Sequence, residues 1–67
     1  MSIKAIIGKG IEKHLEGHIE LHRANIQVYM ENSVGIGEHP QHLDEIDKLI
    51  NKIAEAEDKL KVLKEFN

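Results

Sequence analysis

Three histidines hold the residue types and spacing most able to do chemistry. His14, His18 and His22 recur every four residues, a spacing that stacks side chains along one side of a helix. Neutral imidazoles so spaced can chelate a transition metal. A hairpin turning near Gly35 would bring Glu57 opposite His14 and His18 as an acidic ligand. His14, His18, His22 and Glu57 are therefore the candidate metal set. The same residues also fit a plainer role, and it is the favoured one. Histidines within a bundle are commonly satisfied by a carboxylate, and Glu57 can be that partner and nothing more.

A third use of the ladder is pH response. If His18 and His22 are buried as neutral rings, the unfolded state binds more protons, and stability falls as pH drops through the imidazole range near ~6.5. If Glu57 instead holds a histidinium, that contribution disappears as pH rises. His39 and His42 precede or open the second helix and are expected to be exposed polar residues.

Familiar catalytic patterns are missing. The positions three beyond Glu12, Glu16 and Glu20 are Leu15, Ile19 and Arg23, so the Glu-x-x-His of di-iron bundles does not occur. There is no His-Glu-x-x-His, and with no cysteine there are no disulfides or thiolate zinc sites. Ser2 and Ser33 stand at expected helix ends with no acid–base array around them, and Tyr29 has only the histidines as company. An enzyme is not expected, and no cofactor is implied.

The elements that must carry these residues are two helices. Within 67 residues the only proline and two glycines fall in Asn32-Ser33-Val34-Gly35-Ile36-Gly37-Glu38-His39-Pro40. Gly35 can close a helix C-terminus and Pro40 suits the first turn of the next. The expected layout is one domain, 1–67, with helix 2–32, turn 33–39 and helix 40–66. Val34 and Ile36 are expected to cap the bundle end, while Asp44 and Glu45 place negative charge near the positive end of the second helix. Gly35-x-Gly37 lacks the remainder of a phosphate-binding loop and is read as a turn.

The second helix carries one stripe at heptad-like spacing: Ile46, Leu49, Ile53, Ala56, Leu60 and Leu63, flanked by Leu43 and Ile50. The first helix is apolar over more of its circumference. Ile11, Leu15, His18, His22, Ile26 and Tyr29 form its central stripe at ~100° per residue, with Ile19 and Met30 to one side. A second strip runs through Ile3, Ile6, Gly10, Gly17, Leu21, Ala24 and Val28. A single neighbouring helix cannot cover both. Gly10 and Gly17 each cost about 1 kcal/mol relative to Ala in a helix interior, and their seven-residue spacing suits close approach of another helix. The second strip is thus the expected oligomer interface. The expected fold is an all-α antiparallel hairpin dimerising into a four-helix bundle.

Composition narrows the partners. Twelve acids are interleaved with nine Lys and Arg for a net charge of −3, so the clustered basic face of a nucleic-acid binder is not expected. Ile3, Lys4, Ile6, Ile7, Lys9 and Ile11 have an interfacial mix, but a membrane partner ranks below a protein one. No secretory leader pattern is read, and a cytoplasmic protein is expected.

The run Val34-Gly35-Ile36-Gly37-Glu38-His39-Pro40, followed by an acidic amphipathic helix containing Lys52-Ile53-Ala54-Glu55, resembles short uncharacterised helical-hairpin proteins of tailed phages that infect marine cyanobacteria. The resemblance covers most of the chain. It implies a phage-encoded protein acting in the host cytoplasm or the virion, with no established activity, and it carries no catalytic or binding residue onto this sequence.

Overall fold

Ser2 starts the first helix. Its Oγ accepts the backbone N–H of Ala5 at 3.1 Å and its carbonyl accepts that of Ile6 at 3.1 Å, the arrangement of an N-cap serine. Ser2→Ala is expected to lower helix stability by about 1 kcal/mol, read as a fall in the thermal midpoint by circular dichroism. The computed structural model describes residues 2–31 and 40–66. They form two α-helices, α1 (Ile3–Glu31) and α2 (Pro40–Lys64), packed against each other, and no strand. The expected turn features at 32–39, including Val34, Gly35, Ile36 and His39, lie outside the described residues.

Pro40 is the first residue of α2, where its missing N–H costs nothing. The first turn of α2 holds no acid; Asp44 and Glu45 fall in the second. At the other end Lys61 and Lys64 occupy the last turn, where positive charge meets the negative pole of the helix. Bonds from Glu65 N–H to the Val62 carbonyl (3.0 Å) and Phe66 N–H to the Leu63 carbonyl (3.1 Å) tighten the exit.

Packing follows a 3.5-residue seam on both helices. On α2 the stripe read from the sequence is the one that packs: Leu49 and Ala56 are buried, and Ile46, Ile53, Leu60 and Leu63 are half-buried. Leu43 and Ile50 stand exposed beside it. On α1 the buried and half-buried residues are Gly8, Glu12, Leu15, Ile19, His22, Ile26 and Tyr29. Their alternating steps of four and three are knobs-into-holes spacing.

This seam is rotated from the expected one. Ile19, placed at the margin by the sequence, is 7% exposed and shares the core with Leu15 and Ala56. Ile11 and His18, placed at the centre, are exposed, and Glu12, placed on the polar face, is half-buried. An ideal helix drifts ~20° per heptad relative to a 3.5-residue repeat. Over the 29 residues of α1 a straight projection therefore misplaces its stripe, whereas two helices wound around each other keep one.

The core is thin. None of the described side chains is completely enclosed, and the molecule measures 53 × 16 × 11 Å, a single layer of two helices. Outer faces are tied by short-range pairs, such as Lys13 Nζ to Glu16 Oε1 (3.2 Å) and Lys48 Nζ to Glu45 Oε1 (3.3 Å). Being exposed, each contributes only about 0.3 kcal/mol.

Candidate functional site

The rotated seam decides where the histidines go. His22 sits at the edge of the core and is half-buried, while His18 and His14 climb away from it into solvent. The three rings nevertheless touch as a ladder. The ring centroids of His14 and His18 lie 4.5 Å apart and those of His18 and His22 5.6 Å, each pair crossing at 61°. Helical spacing with uninterrupted backbone is enough to hold them so.

Across the seam, α2 presents Lys52, Glu55, Ala56 and Lys59 to this ladder, and the two helices enclose an open groove of about 250 Å³. Glu57 is elsewhere. It stands on the opposite flank of the seam, where its Oε2 lies 3.9 Å from a guanidinium nitrogen of Arg23. Arg23 also reaches Glu20 at 3.9 Å. These side chains are more than half exposed, so solvent screens both pairs and their contribution is small.

The expected metal set of His14, His18, His22 and Glu57 is therefore not assembled. Among the described residues no group of three or more His, Asp or Glu side chains is arranged to hold a metal ion. The reason is the seam: rotating the contact toward Ile19 puts the histidines on one flank and Glu57 on the other. It also changes the pH reading, since His18 lacks the burial it required. Only His22 retains part of it, with Nδ1 shielded from solvent and no hydrogen-bond partner for that atom among the described residues.

His42 departs from expectation in the other direction. It is half-buried, and its ring packs 5.4 Å from that of Tyr29 at a 57° tilt, joining the C-terminal part of α1 to the start of α2. The i, i+7 ladder of α2 (His42, Leu49, Ala56, Leu63) was the available signal for it, because it puts His42 in register with the buried stripe.

A second feature is larger than the histidine groove. Every residue of the strip Ile3, Ile6, Gly10, Gly17, Leu21, Ala24 and Val28 is exposed, with Ile3 at 76% and Leu21 at 57%. A Cβ built on Gly10 or Gly17 meets nothing within 4 Å. The two glycines therefore do no packing work inside the hairpin. No protein-family model, curated protein or solved structure matches this chain. Function must accordingly be argued from these two surfaces: a polar histidine groove and an uncovered apolar helix face. Among the described residues no helix is long and apolar enough to cross a membrane.

Proposed function

We propose that this chain is a small non-enzymatic structural or protein-interaction module. It works as a homo-oligomer in which two hairpins pair through the exposed face of α1 to make a four-helix bundle. The observation that carries this reading is the exposed strip of apolar and small residues from Ile3 to Val28, which α2 leaves uncovered.

The exposed area of the whole hairpin leaves room for a second copy. The hairpin exposes 5302 Å², whereas a folded monomer of 7.6 kDa exposes roughly 4300 Å². The excess of roughly 1000 Å² is close to the ~800 Å² each partner gives up in a standard interface. A copy of the same chain supplies a matching apolar face by twofold symmetry. Beside the seam Ile11, Leu15, Val62, Leu63 and Phe66 line a separate apolar groove of about 380 Å³.

Catalysis is not part of the proposal. The histidine groove is open and, at about 250 Å³, smaller than the ~300–1,000 Å³ of ordinary small-molecule sites. On the resemblance to phage proteins, we read the module as one that would act in an infected cell's cytoplasm or a virion, organising a small assembly or binding another protein.

Sedimentation equilibrium at micromolar concentration tests the reading. A dimer, or a higher closed oligomer, is the expected species. A monomer throughout the micromolar range would dismiss self-association and leave a different partner for the face.

A further inference from the structure

The upper part of the histidine ladder takes no part in the core. His14 and His18 stand in solvent with their rings in contact, brought together by their i, i+4 spacing on α1 and left open to a ligand. We propose that His14 and His18 form a two-imidazole chelate for a divalent transition-metal ion of the copper or nickel class.

Distance selects this pair. A metal bound at ~2.0–2.1 Å from each coordinating nitrogen lies about 3.2 Å from each ring centroid. Centroids are then about 4.5 Å apart for a 90° N–metal–N angle and about 5.2 Å for a tetrahedral one. The His14–His18 separation of 4.5 Å meets the square-planar value, and the His18–His22 separation of 5.6 Å exceeds both. The rings now cross at 61°, so aiming both nitrogens at one ion needs side-chain rotation. Exposure leaves both rings free to make it. His22 is less free, because its Nδ1 is turned into the protein.

The surroundings select the ion. Lys52, Lys59 and Glu55 face the groove from α2, a net positive surrounding that weakens the binding of any divalent ion. The site therefore suits one held by imidazole nitrogen rather than one held by charge and carboxylate oxygens, such as Mg²⁺ or Ca²⁺. Imidazole nitrogen binds Ni²⁺ and Cu²⁺ ahead of earlier divalent ions and tolerates their square-planar geometry. With two protein ligands, water fills the remaining positions. The proposal does not depend on self-association.

Calorimetric titration of the untagged full chain with Ni²⁺, and Cu²⁺ absorbance in parallel, provides the test. The expected result is saturable binding of one ion per chain at sub-millimolar metal, reversed by addition of a chelator. His14→Gln and His18→Gln should each weaken binding at least about tenfold, and His22→Gln no more than about twofold. Helicity by circular dichroism should be unchanged in the first two, whose side chains are exposed. Absence of saturable binding, equal affinity in His14→Gln and the parent chain, or a loss confined to His22→Gln would each overturn the assignment.

Discussion

Leu15→Ala is expected to leave the chain largely unfolded at ambient temperature. Leu15 is 8% exposed and forms the centre of the core with Ile19 and Ala56, against which Ile53 and Leu60 pack. Truncating a buried leucine costs about 2–5 kcal/mol. A chain this small seldom draws more than ~3–5 kcal/mol from its core, so one such loss uses most of what holds the hairpin together. Circular dichroism should show loss of helicity and of a cooperative thermal transition. Ile19→Ala should behave alike, and Ile11→Ala, at a side chain 44% exposed, should do much less. Equal losses at Ile11 and Ile19 would mean that the α1 seam runs where a straight helical projection puts it.

Gly17→Leu is expected to break self-association without harming the hairpin fold. Inside one chain the site is open, since a Cβ there meets nothing within 4 Å. Leucine is also the better helix former by nearly 1 kcal/mol. A lone hairpin should therefore tolerate or gain from the change. In a helix pair packed closely at Gly10, Gly17 and Ala24, the added side chain forces the backbones apart. The dimer dissociation constant should rise by at least about tenfold, or ~1.4 kcal/mol, and the concentration dependence of the thermal midpoint should shrink with it. An unchanged or tighter oligomer would exclude the strip as the contact surface. The opposed signs of the two effects make the result informative: stabilised helix, weakened assembly.

Self-association and metal chelation would meet on one helix. On α1 the histidines lie in the angle between the seam with α2 and the uncovered strip, with His14 nearest the strip and His22 nearest the seam. A second copy seated on the strip would border His14 without displacing His18. The metal titration and the sedimentation experiment can therefore be read separately.

The two-helix fold was legible in the residues because its signals are local. Ser2 and Pro40 mark helix starts through chemistry confined to a single turn, and the α2 stripe from Ile46 to Leu63 declares its buried face by spacing alone. The surplus of apolar surface on α1 was also legible, since no single neighbour can cover a helix apolar on two faces. What the residues by themselves left open was which side of α1 meets α2. Ile11 and Ile19 flank Leu15 with equal hydrophobicity, so only the mutual winding of the two helices, with its 3.5-residue repeat, chooses between them. That choice placed Ile19 in the core, moved His18 into solvent, and sent Glu57 to Arg23 on the far flank from the histidines. Sequence determined two amphipathic helices and an unpaid apolar face; tertiary packing decided the rotation about the α1 axis, because a side chain's surroundings depend on angle as well as on order along the chain.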